Sequence, residues 1–397
     1  MRLDGSHLGY CTNIHAGETW GEIRRNLERY LPEVKRRVCA DAPFGVGLRL
    51  SAVAAESLSS PDALANFAGF LREQGLYVFT INGFPYGPFH GTRVKEDVYR
   101  PDWRDEARLE YTNRLADLLA ALLPGDGGAP GSVSTVPGAF KPDATSAADI
   151  SRIADLLIRH AAHLVRIERD TGRHIVLALE PEPCCLLETI EETMAFFGNH
   201  LHSQGAAASL AGLAGLDIRD AGDALRRHLG VCLDLCHAAV EFEDPADCMQ
   251  SLASAGIQVA KIQVTAGLRI PRVTADAVKA LRSFDEDVYL HQVVERGSSG
   301  LRRYVDIDAA CTSDDWRAGG CEWRVHFHVP VFLEALDGFS STQAFVREAL
   351  ALHKQQARSP HLEVETYTWS VLPARVREVP IEDAIARELL WVQGELA

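Results

Sequence analysis

Several short apolar runs in this chain carry, at or near their C-terminal ends, side chains able to hold a cation or move a proton. The run from Ile175 to Leu179 leads straight into Glu180, and Pro181, Glu182 and Pro183 follow. Asp234 stands between Leu233 and Leu235, with His237 three residues on. Lys261 and Gln263 alternate with Ile262 and Val264, and Glu363 and Glu365 alternate with Val364. Residues two apart on a strand share a face, so each of these pairs points one way. A carboxylate placed inside a protein is costly unless it is paired or bound to a cation. Glu180, Asp234 and Glu365 therefore read as ligands of one divalent metal ion, with Mn²⁺, Mg²⁺, Zn²⁺ and Co²⁺ all open. Gln263 is a neutral oxygen donor that Mg²⁺ or Mn²⁺ accepts. It could equally hydrogen-bond sugar hydroxyls or serve structure alone. The plainer alternatives are a solvated loop start for Glu180 and a helix cap for Asp234.

Other polar residues are candidates for substrate contact. His326 and His328 share a face in HFHVP, and two imidazoles in register suit a metal or a polar ligand. Glu182 points the same way as Glu180 if the strand continues. Asn13, His15 and Asn82 end two further runs, and Trp369 could stack on the apolar face of a sugar ring. No strand is followed by Gly-x-Gly-x-x-Gly, and there is no P-loop or Gly-x-Ser-x-Gly, so nucleotide-driven chemistry and serine hydrolysis have no motif.

The elements that must position these groups alternate short apolar runs with long helical stretches, the pattern of parallel α/β architecture. The runs are HLGYCTNIH from His7, VGLRLSA from Val46, LYVFTINGF from Leu76, SVSTVPGAF from Ser132, IVLALEPEP from Ile175, VCLDLCH from Val231, VAKIQVTAG from Val259 and LEVETYTW from Leu362. Eight such strands, buried on both faces, predict one (β/α)8 TIM barrel over residues 1–397, with function at the C-terminal ends of the strands. Helices are expected from Glu18 to about Val38 with Thr19 as a cap, from about Asp105 to Leu123, from Ser146 to Asp170, and from about Thr342 to Gln356. The second ends in the turn Pro124-Gly125-Asp126-Gly127-Gly128. A ninth run, WRVHFHVPVF from Trp323, is preceded by VYLHQVVER and LRRYVDIDA around Gly-Ser-Ser-Gly, which reads as an antiparallel hairpin. The expectation is an insertion at about 288–330, before the last barrel strand, whose own final strand returns to the barrel. The other count makes HFHV a barrel strand and the first run an N-terminal cover.

Composition narrows the function classes. A formal net charge of −15 disfavours nucleic acid, whose phosphates need clustered Lys and Arg. No stretch of about 18 apolar residues predicts a membrane span. The start, Met1 to Gly5, lacks the features of a signal peptide, and a cytoplasmic location is expected. The nine cysteines form no Cys-x-x-Cys pair and read as reduced, mostly buried residues.

Taken together, LALEPEP, LDLCHAAVEFED, KIQVTAG, HFHVPVF and EVETYTW resemble the EboE family of bacterial metabolite traffic proteins, within the xylose isomerase-like superfamily. YCTNIHAGETW, FTINGFPYGPFHG and STVPGAFKP extend the resemblance over nearly the whole chain. It implies a xylose isomerase-like barrel and clusters that export or process small metabolites, with a homo-oligomer or partner proteins of an export cluster as the setting. Ketose epimerases of the wider superfamily hold one metal with Glu, Asp, His and Glu on successive late strands. Those positions correspond here to Glu180, Asp234, Gln263 and Glu365, and the substrate-touching loop His to His237. Gln263 departs from that pattern, and His326 or His328 could supply the imidazole. The expected activity is a metal-dependent isomerase or epimerase of a small polyhydroxylated molecule, a sugar or cyclitol, with Glu180 and Glu365 catalytic. The alternatives are a non-catalytic carrier or partner-binding barrel, and a metal-dependent hydrolase or lyase.

Overall fold

A computed structural model describes residues 1–3, 5–125 and 130–397. Asp4 of the opening stretch and Asp126 to Gly128 of the turn after the second helix lie outside the described residues. Eight parallel strands form the centre: β1 (Ser6–Tyr10), β2 (Phe44–Arg49), β3 (Leu76–Asn82), β4 (Gly131–Thr135), β5 (Ile175–Leu179), β6 (Leu229–Asp234), β7 (Gln258–Val264) and β8 (His361–Val364). Each pairs with the next from β2 to β8, and β8 pairs with β1. A parallel bridge between Cys11 and Gly47 joins β1 to β2 and completes the ring. The chain is thus a (β/α)8 barrel, built from the eight runs that the sequence singles out.

Local chemistry fixes the surrounding helices. Thr19 and Glu22 form a capping box at the start of Trp20–Val38, and Ser146 and Asp149 form another at Ala147–Thr171. Both satisfy backbone N–H groups that a helix start leaves free. The latter helix ends at Gly172, whose φ of +69° suits a residue without Cβ. All nine cysteines are free; Cys39 is half-buried and the others are buried. Among the described residues, no helix is long and apolar enough to cross a membrane.

The barrel interior is unusually polar. Thr80 Oγ1 and Ser132 Oγ lie 2.7 Å apart, and Ser132 Oγ lies 2.8 Å from His361 Nδ1. Lys261 forms an ion pair with Glu363, both side chains fully buried, and Lys261 Nζ donates to Ser134 Oγ at 3.2 Å.

The second sheet differs from expectation in one respect. Strand Glu322–Val329 does not return to the barrel. It lies in a six-stranded antiparallel sheet, between Val293–Gly297 and Ala266–Ile270. That sheet begins immediately after β7, at Ala266, and takes in Gly300–Tyr304, Phe339–Ser341 and Ala335–Leu336 as well. Every described pairing within it is antiparallel. Antiparallel pairing suits short connections, whereas returning to the parallel barrel would need a crossover.

Candidate metal centre

β5 and β6 deliver the first two carboxylates. Glu180 directly follows β5, and its N–H donates to Thr135 O at 3.1 Å, as if the strand ran one residue further. Asp234 closes β6, and the chain turns at once into helix Leu235–Val240. Its Oδ1 accepts from the N–H groups of Cys236 (2.7 Å) and His237 (3.0 Å). The capping reading of Asp234 is therefore correct for one oxygen only. Asp234 Oδ2 and Glu180 Oε2 are buried without a hydrogen-bond partner among the described residues.

Glu365, just beyond β8, is held differently. Asn13 Nδ2 and Asn82 Nδ2 both donate to its Oε1, at 2.8 and 2.9 Å, and Gln263 Nε2 donates to its Oε2. Gln263 Oε1 meanwhile accepts from Cys232 Sγ at 2.7 Å. Gln263 thus turns its nitrogen toward Glu365 and its oxygen away from it. The Asn13 amide leaves its Oδ1 unpartnered.

Three imidazoles gather opposite. His237 Nε2 lies 3.0 Å from His326 Nε2, which lies 3.2 Å from His328 Nε2. His326 and His328 sit where the ladder between Glu322–Val329 and Ala266–Ile270 is irregular: Val325 faces Leu268, but Val329 faces Ala266. Such a bulge kinks a strand and re-aims its side chains. Glu182, two residues past Glu180, accepts from Tyr99 OH at 2.7 Å. Gln292 Nε2 donates to Tyr99 OH at 2.8 Å and to Pro183 O at 3.2 Å.

These groups enclose one cavity of about 60 Å³, lined by Asn13, Asn82, Glu180, Glu182, Glu365 and the three imidazoles. That is room for a cation and a few waters. Above it Phe89, Tyr289 and Tyr367 pack on one another, with ring centroids 5.0–5.3 Å apart. Four sets of groups among the described residues have ligand atoms mutually within 4.8 Å. Three share members here: His237 with His326 and His328, Glu180 with Asp234 and His237, and Asp234 with Cys236 and His328. The fourth is Glu168 with His174 and His228.

Burial dominates the electrostatics. It pushes the Asp234 carboxyl up to about 7, against the pull of its two backbone donors. Burial, then the nearby Asp234 and Glu363, push Glu365 up to about 8. Glu180 is driven well above the ordinary range by burial, Glu365 and Asp234. Burial also carries His326 and His328 well below the usual imidazole range. Several carboxylates that resist ionising together, facing neutral imidazoles, form a set that a divalent cation stabilises.

Not every sequence candidate reaches this cavity. His15 stacks on Tyr30 at 4.2 Å and contacts Tyr10 OH at 3.0 Å, in a separate crevice. Trp369 lines a different hollow, with Phe332 and Val376. Lys261 is committed to Glu363 in the barrel interior. Conversely, Tyr99, Gln292, Tyr289 and Tyr367 belong to the site and were missed. Tyr99 ends a short 3-10 helix, Lys95–Tyr99, too brief to show periodicity in the sequence. Gln292 immediately precedes a strand, and that placement was its only local signal.

The class of protein is accordingly a (β/α)8 barrel with a carboxylate- and imidazole-lined pocket at the C-terminal ends of its strands. No family profile matches the chain, and no curated protein sequence does. Among solved structures, it is similar to a D-tagatose 3-epimerase-like protein, at 13% identity and TM-score 0.48, covering 98% of this chain and 100% of that one. It is also similar to a xylose isomerase-like TIM barrel protein from Mycobacterium smegmatis in complex with magnesium, at 13% identity and TM-score 0.48, covering 95% and 90%. A third is the IOLI protein with a binding zinc atom, at 13% identity and TM-score 0.45, covering 98% and 97%.

Proposed function

We propose that this chain is a metal-dependent isomerase or epimerase of a small polyhydroxylated molecule, a sugar or cyclitol. The observation that carries this reading is the pair of unpartnered carboxylate oxygens, Glu180 Oε2 and Asp234 Oδ2, buried at the strand ends beside three imidazoles. A carboxylate oxygen without a partner inside a protein is destabilising, and a cation removes that cost. Glu180 and Asp234 would hold the oxygen side of the ion. When bound, the cation supplies polarisation of a carbonyl and its neighbouring hydroxyl.

The chain's own residues supply the rest. Glu180, with one bare oxygen, would take a proton from the carbon beside the carbonyl. Glu365 would be its partner in proton exchange, its carboxylate held in place by Asn13, Asn82 and Gln263. Asn13 Oδ1, also bare, would accept from a substrate hydroxyl. Glu182, Tyr99 and Gln292 form a polar wall suited to further hydroxyls. The Phe89, Tyr289 and Tyr367 roof must part to admit a sugar-sized molecule, and closed it would exclude water.

The test is incubation of metal-loaded protein with a panel of ketoses and keto-cyclitols in D₂O, read by NMR. A carbon-bound proton of one substrate should exchange with solvent, and a chelator should abolish the exchange. A sugar or cyclitol that binds tightly yet shows no exchange with any metal would overturn this reading.

A further inference from the structure

The three imidazoles have their protons assigned by what lies behind them. His237 Nδ1 faces Pro181 O at 3.0 Å, and His328 Nδ1 faces Glu365 O at 3.0 Å. A carbonyl oxygen only accepts, so both rings carry a proton on Nδ1. His326 Nδ1 faces Gln292 Oε1 at 2.7 Å. The Gln292 amide cannot be turned round, because its nitrogen donates to Pro183 O, another pure acceptor. His326 therefore also carries its proton on Nδ1. In the neutral form, each ring has a bare lone pair on Nε2.

Those three Nε2 atoms are the ones that converge, with separations of 3.0 and 3.2 Å along the series His237, His326, His328. At such distances lone pair meets lone pair, and no hydrogen bond joins them. Two nitrogens bound to one ion at about 2.0–2.1 Å stand about 2.9–3.4 Å apart, for angles from octahedral to tetrahedral. The observed spacing falls in that range. Metal-binding imidazoles characteristically donate their second ring N–H to a carbonyl or other acceptor, and here all three do so. The bulge at His326 and His328 is a further feature that aims both rings at His237.

We propose that His237, His326 and His328 are the three nitrogen ligands of the pocket's ion, making it a zinc-class site that discriminates against Mg²⁺, with Asp234 and Glu180 on its oxygen side. This rests on the reading that the pocket binds a metal, and adds which atoms choose the ion. Two of the three ligands come from the antiparallel sheet instead of the barrel, so the site is complete only when that sheet is docked. Three imidazoles suit Zn²⁺ and Co²⁺, whereas Mg²⁺ prefers oxygen donors.

The experiment uses metal-free full-length protein titrated separately with Zn²⁺, Co²⁺ and Mg²⁺ by calorimetry, with X-ray absorption on the zinc-loaded form to count imidazoles. One zinc per chain with three imidazoles is expected, and excess Mg²⁺ should leave it in place. His328→Gln should remove one imidazole and weaken zinc binding by about 100-fold or more. Asp234→Asn should keep all three imidazoles. The wild-type imidazole count stands on its own if a histidine variant fails to fold. A count of one or none, or ready displacement by Mg²⁺, overturns this assignment while leaving a carboxylate-held ion intact. Binding of no divalent ion at all, with the three rings shown by NMR to share protons only, overturns both.

Discussion

Glu363 fills the space that any side chain on residue 47 would need. A Cβ built on Gly47 overlaps the Glu363 carboxylate and also comes within 2.9 Å of Tyr10 O. Gly47 is the β2 residue whose bridge to Cys11 closes the barrel. A buried glutamate thus occupies the space beside the closing seam that a side chain at residue 47 would need. Gly47→Ala must push Glu363 off Lys261 or open the seam. The expected loss is at least about 3 kcal/mol, the scale for disturbing a buried ion pair, read as a lower urea midpoint. An unchanged midpoint would show that the interior has slack.

Lys261 should matter for folding and not for ligand contact. Burial is the largest single influence and opposes its charge, but Glu363, Cys232, Cys11 and Glu180 together outweigh it and hold the ammonium above its usual range. Lys261→Met leaves a buried carboxylate without its cation, at a cost of about 3–5 kcal/mol. Lys261→Met combined with Glu363→Leu removes both charges and should recover most of that loss. A double-mutant cycle by chemical denaturation measures the coupling. If the single variant stays stable but loses ligand affinity, Lys261 is a substrate residue after all.

Glu388 gives the fold a pH dependence separate from the metal pocket. It lies in helix Ile381–Leu396 and accepts from Val331 N–H (3.1 Å) and Thr366 Oγ1 (2.7 Å), beside Glu365. Burial raises its carboxyl to about 7, against the effect of those two donors. Its folded value therefore lies above its unfolded one. Below the unfolded value both states hold the proton, and the group contributes no pH dependence. Between there and about 7 the unfolded chain releases the proton first, so stability falls as pH rises. Glu388→Gln keeps an oxygen for both donors and removes the ionisation. Its advantage over wild type should grow across that window and level off above it, reaching on the order of 1–3 kcal/mol. Thermal melts at a series of pH values check this, and parallel curves would refute it.

The barrel was legible because its strands are buried on both faces, so each run of apolar residues stands out from the helical stretches between. Parity within a run was enough to pair Glu363 with Glu365 and His326 with His328. Parity did not tell depth: Glu363 lies in the interior with Lys261, while Glu365, two residues on, reaches the pocket. The second sheet was misjudged because its central strand, Ala266–Ile270, follows β7 with only Thr265 between, so VAKIQVTAG reads as one continuous run. Tyr99 and Gln292 are joined to Glu182 across separations of 83 and 110 residues, and no local pattern encodes such contacts.

Glu180 and Glu365 should respond differently to the same change of acid to amide. Glu365 takes hydrogen bonds on both oxygens from three amide groups, whereas Glu180 leaves Oε2 bare. In Glu365→Gln one position becomes an NH₂ facing a donor. The Gln263 amide can turn to offer its oxygen, but its nitrogen then faces Cys232 Sγ, a weak acceptor, in place of the thiol donation made now. That rearrangement should lower stability by about 1–2 kcal/mol. Glu180→Gln loses no existing bond at Oε2 and should change metal-free stability by less than about 1 kcal/mol. The neutral amide also fits a position where burial, Glu365 and Asp234 already hold the Glu180 carboxyl above its ordinary range and so disfavour its charge. Both variants should lose solvent exchange of the substrate's carbon-bound proton, since an amide cannot accept it. Denaturation curves and NMR in D₂O on the same preparations separate the two effects. Exchange surviving in Glu180→Gln would assign proton abstraction to Glu365 alone, and exchange surviving in both would remove these carboxylates from the chemistry.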